Sequence, residues 1–462
     1  MAQDAHGPPL EPPVGPPSAP SASRGALLSW AFYDWANQAF ATVVLTFVFA
    51  AYFVREVAPD EATGAAWWGY AVGGAGACVA LVDPVLGAVA DRGGRRKPWI
   101  AAFTALCVLT TGALWWVEPE AADVGLALLL VALGTIGAEL AMVFYNAMLP
   151  DLVSEERLGR WSGWAWGLGY LGGLLCLAAA LLLFVRGDAW ISLDRERAED
   201  VRAVFPMAAL WYLLFALPLL LFTPEAPRAG GRAPLRLAAR EGLAQLRDTA
   251  RQIRSYGGIV RFLIARLVYT DGLATLFAMG GAYAAGAFDM TAVEVLAFGL
   301  AMNVTAGLGA VAFAWLDDRL GARTIIRLAL VGLLLPGVGI LLVTTPRLFW
   351  TFGLLLGLFV GPVQAASRSY LARASPPELR GQLFGLFALS GKATAFMGPL
   401  LVGWITHLSG SQRVGMSVIL AQFAIGLALM VWVPRAADAR PRPPGGLPGS
   451  APPRSGTPGA PA

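Results

Sequence analysis

Charged residues are scarce in this sequence: Asp, Glu, Lys and Arg make up only 14% of its 462 residues. A soluble domain carries about 25%. Hydrophobic residues make up 57%, and the mean hydropathy is +0.61. These values exclude an ordinary soluble protein and predict a chain that crosses a membrane many times. The formal net charge is only +4, and basic residues do not alternate with aromatic ones, so we expect no nucleic-acid partner.

Histidine and cysteine are also rare. The chain has two histidines and three cysteines. Cys78, Cys107 and Cys176 lie in apolar segments without the spacing of metal ligands. The sequence contains no HExxH and no glycine-rich phosphate-binding loop. We therefore expect no metal site and no cofactor, and the sequence indicates neither a membrane-embedded enzyme nor a nucleotide-driven pump.

Apolar segments, by contrast, are long and numerous. A helix needs about 20 apolar residues to cross a bilayer. Lipid offers the backbone no hydrogen-bond partner, so each long apolar segment is predicted to be a helix. The predicted fold class is an all-α membrane protein with twelve transmembrane helices in two six-helix repeats. The predicted spans are 28–54, 67–90, 98–117, 124–149, 161–184, 204–222, 259–285, 292–316, 324–344, 348–371, 382–406 and 413–434.

The distribution of basic residues predicts the orientation. With the N-terminus inside, most loop Lys and Arg fall on the inner side, so we expect a multi-pass plasma-membrane protein with both termini cytoplasmic. We predict disordered tails over 1–24 and 435–462, six-helix halves over 25–222 and 259–434, and a cytoplasmic linker over 223–258. An amphipathic helix on the lipid of the inner leaflet and a solvated linker helix both fit that linker. One chain supplies both halves, so a monomer is sufficient.

The two halves repeat each other in sequence. A constant offset of 222 residues relates four residues after the fourth helix to four residues after the tenth, namely Glu156, Gly159, Gly163 and Gly169 to Glu378, Gly381, Gly385 and Gly391. Parallel halves of this kind are typical of one transporter architecture. Its substrate site lies near the membrane midplane, between the halves.

The loop after the second helix carries a motif, which reads GAVADRGGRRK from Gly87 to Lys97. Gly87 permits close helix approach, Gly94 permits a turn, and Asp91 can accept hydrogen bonds from a helix N-terminus or an arginine of the other half. A purely topogenic basic loop would require neither Asp91 nor this glycine spacing. A second copy of the motif follows the eighth helix. Asp318 and Arg319 match Asp91 and Arg92, but Ala314 stands in the position of Gly87.

This motif resembles the loop signature of the major facilitator superfamily at every constrained position. The resemblance implies a latch that joins the two halves on the cytoplasmic side in the outward-facing state. The second copy departs from this signature at Ala314, so the resemblance implies the latch for the first copy. The predicted gating residues are Gly87, Asp91, Arg92, Gly94, Arg95, Arg96, Asp318 and Arg319.

Further segments narrow the resemblance. Tyr33 to Asn37 (YDWAN), Phe144 to Asp151 (FYNAMLPD), Gly361 to Ala365 (GPVQA) and Phe387 to Pro399 (FALSGKATAFMGP) are similar to the autophagy-related vacuolar amino-acid effluxers and their bacterial relatives. The matches span nearly all twelve helices. The resemblance implies amino-acid efflux for fungal members, whereas the bacterial branch need not share that cargo.

Ionisable residues inside the predicted spans are the candidates for the site, because a charge in hydrocarbon is costly and marks a polar pathway or a partner. They are Asp34, Glu139, Arg266, Asp271 and Lys392. Neutral hydrogen-bonding candidates are Asn37, Tyr145, Asn146 and Gln364. The acids Asp34, Glu139 and Asp271 are the candidates for proton coupling.

Several of these residues allow two interpretations. Asp34 is either a ligand or an interdomain salt-bridge partner near the cytoplasmic gate. Lys392 is either a counter-ion to an intramembrane acid or the anchor for a substrate carboxylate. We expect Arg266 to pair with an acid on another helix. We expect Asp83, which lies close to the inner end of the second helix, to be a structural partner of the loop motif.

These residues predict a secondary transporter, or permease, that moves a small organic solute by alternating access. The resemblance implies export of amino acids. The residues fit a zwitterion of this kind, because Glu139 or Asp271 can bind an ammonium group and Lys392 or Arg266 a carboxylate. A sugar, a drug or an organic anion is the alternative cargo. A non-transporting receptor and a membrane enzyme are the alternatives from other classes.

Overall fold

The computed structural model of the chain describes residues 22–93, 95–185, 190–191, 193–225, 244, 256–392 and 394–439. Twelve helices in these ranges are long and apolar enough to cross a membrane, six on each side of the linker. The predicted fold class, twelve transmembrane helices in two six-helix halves, is confirmed. In chain order, α1 to α12 are Arg24–Val57, Thr63–Asp91, Lys97–Trp116, Ala121–Leu152, Glu155–Val185, Glu199–Phe222, Gly257–Phe288, Val293–Leu320, Ala322–Leu342, Pro346–Ala374, Pro377–Ser409 and Gln412–Val431.

Most of both predicted tails and of the predicted linker helix lie outside the described residues, as does Gly94. Helix α1 begins at Arg24 because Ser23 caps it, its hydroxyl accepting a hydrogen bond from the Ala26 N–H at 3.2 Å. At the other end the described chain continues past the predicted boundary at 434. Ala439 is buried there, next to Gly258, so the packed bundle extends beyond the predicted limit.

Two helices are irregular in their interiors. Helix α1 contains π-helical turns over Phe40–Phe47 and Phe53–Val57, and such turns are frequent at functional sites. Helix α11 is regular over Arg380–Lys392 and again over Met397–Ser409, with a turn between. Both irregular helices contribute side chains to the space between the halves.

The halves contact each other through small residues at one end of the bundle. We call this end, which carries the loops around 95, 154, 321 and 376, the loop end. Helix α2 packs on α11, and α5 packs on α8. A Cβ atom at Gly87 would overlap the carbonyl of Gly381, and one at Gly163 would lie 2.6 Å from the Cβ of Ala314. Glycine therefore allows the two helix pairs to approach this closely.

Candidate functional site

A cavity of about 310 Å³ lies between the halves. Small-molecule sites range from about 300 to 1,000 Å³, so this one suits a small solute. Residues of α1, α4 and α5 line it from the first half, and residues of α7, α10 and α11 from the second. The cavity brings together six of the nine predicted substrate residues, namely Asn37, Glu139, Asn146, Arg266, Gln364 and Lys392.

An ion pair crosses the cavity from one half to the other. The Lys392 Nζ lies 2.9 Å from the Glu139 Oε1, and the two side chains are 25% and 34% exposed. Lys392 is thus a counter-ion to an intramembrane acid, the first of its two predicted roles. Both side chains line the cavity, so a charged ligand in the cavity can reach either partner.

Arg266 lines the same cavity without an acidic partner. Its Nη1 donates to the Phe387 carbonyl at 2.5 Å and to the Ser390 hydroxyl at 2.7 Å. Its guanidinium carbon lies 3.4 Å from the centre of the Phe387 ring. Among the described residues no carboxylate lies within ion-pair distance of it, so the structure shows no direct salt bridge to an acid on another helix. Its direct contacts are a carbonyl, a hydroxyl and a ring, and Glu139 of α4 acts on its charge from beyond ion-pair distance.

Asp34 and Tyr145 lie outside the cavity lining, in a buried network next to it. The Asp34 Oδ2 accepts hydrogen bonds from the Tyr145 hydroxyl and the Arg368 Nη1, each at 2.9 Å. Arg368 is 2% exposed. It also donates to the Ser162 hydroxyl at 2.9 Å and to Asn146 Oδ1 at 3.2 Å. Since Asp34 is on α1 and Arg368 on α10, the pair joins the two halves and matches the salt-bridge interpretation of Asp34.

Asp271 also lies away from the cavity. It is buried, and its Oδ2 accepts a hydrogen bond from the Gln422 Nε2 of α12 at 2.6 Å. It is absent from the cavity lining. The structure therefore contradicts the expectation that Asp271 faces a substrate ammonium, and places it inside the second half.

Sequence reasoning missed Arg368, although two signals pointed to it. Arg368 lies inside the predicted span 348–371 and is therefore an intramembrane ionisable residue by the criterion used for the others. It also lies 222 residues after Asn146, the offset of the internal repeat, and the two side chains are hydrogen-bonded. Other residues missed in the same way include Gln422 and Ser162.

At the loop end, a carboxylate of α2 binds the N-terminus of α11. The Asp91 side chain accepts hydrogen bonds from the backbone N–H groups of Gly381 and Gln382, each at 3.0 Å. Arg96 lies 3.4 Å from Asp91 and 2.6 Å from Asp151, which in turn pairs with Arg380 of the second half. The helix dipole and the two arginines favour negative charge at both aspartates.

The second repeat makes the equivalent contact with the halves exchanged: the carboxylate belongs to the second half and the helix N-terminus to the first. Asp318, at the end of α8, accepts hydrogen bonds from the backbone N–H groups of Gly159 and Arg160 in α5, at 2.8 and 3.2 Å. Arg373 pairs with Asp317 and Asp318 at 2.6 and 3.1 Å. Ala314, which departs from the motif, packs against a glycine, Gly163, so its methyl group does not prevent the contact.

The remaining predicted gating residues have less defined surroundings. Arg95 and Arg319 are exposed at the loop end. The side chain of Arg92 and all of Gly94 lie outside the described part of the chain. The contacts between the halves at the loop end therefore involve Gly87, Asp91 and Asp318 of the predicted set, together with Asp151, Asp317, Arg373 and Arg380, while Arg96 binds Asp91 and Asp151 within the first half.

Comparisons with known proteins agree with this architecture. The chain is similar to the proton:xylose symporter XylE, a major facilitator protein of known structure, with a TM-score of 0.69 and 14% identity over 90% of this chain and 97% of that one. It is 28% identical to the uncharacterized MFS-type transporter YxiO of Bacillus subtilis, over 88% of this chain and 94% of that protein. It is a transporter, not an enzyme.

Fungal relatives match over a shorter length. Autophagy-related protein 22-1 of Emericella nidulans is 24% identical over 282 residues, which are 55% of this chain and 46% of that protein. The family model described as "Vacuole effluxer Atg22 like" matches residues 61–440. The chain therefore belongs to the Atg22-like family of vacuole effluxers, within the major facilitator superfamily of transporters.

Proposed function

We propose that this transporter moves a small zwitterionic solute, with a neutral amino acid as the best fit. The observation that carries the proposal is Arg266, a cation with no carboxylate of the described residues within ion-pair distance, in a cavity that also holds the Glu139–Lys392 pair. Arg266 binds the carboxylate of the solute, and Glu139 binds its ammonium group in competition with Lys392. Asn37, Asn146 and Gln364 supply neutral hydrogen bonds.

The proposed transport cycle is alternating access. The loop end is closed by the Asp91 and Asp318 contacts and by the Asp34–Arg368 pair, so we infer that the cavity serves the opposite side in this state. The basic residues of the loop end support a cytoplasmic position for it and for both termini. Export across the plasma membrane fits the family's description as effluxers.

Coupling to protons is part of the proposal. A relative in fold, XylE, is a proton symporter. Of the three acids predicted for coupling, Glu139 lines the cavity, whereas Asp34 and Asp271 are bound to Arg368 and Gln422. Glu139 is therefore the acid through which cavity water exchanges protons.

A small organic anion is the second candidate substrate. Three cations line the cavity beside one acid, Glu139. Arg368 is bound to Asp34, which leaves Arg266 and Lys392 as the two cations that an anion can approach. An anion that displaces Glu139 from Lys392 would gain both cations. A zwitterion carries a positive group beside its carboxylate and an organic anion does not, which distinguishes the two candidates.

A thermal-shift screen of the purified protein tests both candidates. A ligand that binds only the folded state stabilises it by about 2.7 kcal/mol at a hundredfold excess over Kd. We expect neutral amino acids to raise the melting temperature, and Arg266→Gln and Glu139→Gln each to abolish the shift. Asp271→Asn, outside the cavity, should retain it. If organic anions give the shift and Glu139→Gln strengthens it, the second candidate is correct; a shift insensitive to Arg266→Gln would contradict both.

The two loop-end carboxylates should act as equivalent latches. Asp91→Ala and Asp318→Ala each remove two hydrogen bonds to a helix N-terminus, which should cost the closed state about 1–2 kcal/mol, or about 5–30 fold in population. Spin labels on exposed Arg95→Cys and Arg319→Cys, in a background without Cys78, Cys107 and Cys176, measure the separation of the halves. We expect both variants to lengthen the distance.

The matched control is Glu294→Ala. Glu294 caps α8 together with Thr291 at the opposite end of the bundle, within one half. Its loss should leave the label distance unchanged. An unchanged distance in both aspartate variants would contradict the latch.

A further inference from the structure

Asp83 is an intramembrane carboxyl group to which no described residue donates a hydrogen bond. It lies in α2 beside Pro84, it is 0% exposed, and neither of its carboxyl oxygens has a partner among the described residues. We expected Asp83 to be a structural partner of the loop motif. It has no hydrogen bond to the described residues of that motif, so the expectation is wrong for those residues. Asp83 does not line the cavity, and its side chain takes no part in the loop-end contacts described above.

The other half of the protein covers Asp83. Gly385 of α11 packs directly against the backbone of Asp83. A Cβ atom added at Gly385 would lie 2.5 Å from the Asp83 carbonyl oxygen and 2.8 Å from the Pro84 Cα. Gly87, one helical turn further along α2, meets Gly381 in the same way. Asp83 therefore sits at the surface where the halves meet, and its burial depends on the closed loop end.

The cation that acts on Asp83 is already paired with another acid. Glu139 of α4 and Lys392 of α11 are the groups that act on it electrostatically, and they are paired with each other at 2.9 Å. The other charged residues on α2 and on the elements packed against it lie towards its ends: Arg55, Glu56, Glu61, Asp91, Arg92, Asp151, Glu378 and Arg380.

An ionised carboxylate in this position is strongly disfavoured, because it would be desolvated without a donor and without a counter-ion of its own. A protonated carboxyl group avoids most of that cost. Separation of the halves would remove Gly385 and expose Asp83 to water, where the ionised form is stable. The protonation of Asp83 and the closure of the loop end are thus linked.

We propose that Asp83 is a proton-binding site that controls the conformational cycle: the loop end closes when Asp83 is protonated, and Asp83 releases its proton to water when the loop end opens. Glu139, which lines the cavity, connects this site to the solution on the opposite side. The inference rests on the proposed alternating-access function and adds the residue at which a proton acts on it.

The test uses the spin-label pair at positions 95 and 319 and needs no substrate. In the wild-type background we expect the distance to be short at acidic pH and to lengthen as the pH is raised. Asp83→Asn, which is neutral and nearly isosteric with the protonated acid, should keep the short distance across the whole range. Asp83→Leu should do the same, and Asp271→Asn, another buried carboxyl, should retain the pH response.

Three results would overturn the inference: a wild-type distance that does not respond to pH, a response that persists in both Asp83 variants, or a response to Na⁺ at constant pH in place of one to pH. A second readout is the infrared C=O band of a protonated carboxylic acid, which should disappear in Asp83→Asn. If these results hold but no solute shifts the melting temperature, the proton site stands and the proposed substrate fails. If a solute binds and the distance does not change with pH, the proposed substrate stands and the proton site fails.

Discussion

Replacing Arg368 by Met is expected to cost the folded protein about 3–5 kcal/mol, the penalty for breaking a buried ion pair from one side. The change would leave the Asp34 carboxylate buried, with the Tyr145 hydroxyl at 2.9 Å as its remaining described donor. Ser162 and Asn146 would lose donors as well. Asp34→Asn alone should cost less, because Arg368 keeps the Ser162 carbonyl at 2.6 Å.

The double variant Asp34→Asn with Arg368→Met should recover most of this loss, because it removes both charges together and leaves none uncompensated. Arg368→Lys should not recover it. A lysine amine cannot reach Asp34, Asn146 and Ser162 at once, as the planar guanidinium does. Chemical unfolding of the four proteins in detergent measures the coupling. A double variant as unstable as Arg368→Met would contradict the prediction.

The same pair should affect conformation as well as stability. Asp34 belongs to the first half and Arg368 to the second, so their bond exists only while these parts of α1 and α10 are in contact. Loss of the pair should therefore lengthen the label distance at the loop end. A destabilised protein with an unchanged distance would assign the pair to folding alone.

The twelve spans could be predicted from sequence because hydropathy is a local property. Each predicted span overlaps one observed helix, and the largest differences lie at the ends. The interruption of α11 after Lys392 and the π-helical turns of α1 could not be predicted in the same way. No proline accounts for them within those turns, and they depend on neighbouring helices that a single segment does not contain.

The site was only partly predictable, for a physical reason. Helical spacing shows which residues share a face of one helix, but it does not fix the rotation of that helix in the bundle. Glu139 and Asp271 looked equivalent in sequence, yet Glu139 faces the cavity and Asp271 faces Gln422 of α12. The internal repeat carries the missing information, since its offset relates Asn146 to Arg368 and Gly159 to Gly381 across the interface.

Replacing Gly381 by Val is expected to prevent closure of the loop end and to abolish transport. A Cβ there would lie 2.6 Å from the Gly87 carbonyl oxygen and 2.8 Å from the Asp91 Oδ1. Backbone atoms cannot move aside as a flexible side chain can, so the closed state should lose about 3 kcal/mol, the upper end of the usual cost of overpacking. That is more than a hundredfold in population. Solute flux in vesicles and the label distance both measure the effect.

Two other glycines make this prediction specific. A Cβ at Gly309 of α8 would overlap the Leu358 carbonyl of α10, within one half, so Gly309→Val should lower the unfolding free energy without opening the loop end. Gly403 of α11 has open space around it, and Gly403→Val should change neither quantity. In the proposed cycle the open state separates Gly381 from Gly87 and relieves their clash, whereas α8 and α10 belong to one half and move together. Gly381→Val should therefore fold normally yet stay open. If its unfolding free energy instead falls as far as that of Gly309→Val, the α2–α11 contact belongs to the folded core and does not break during transport.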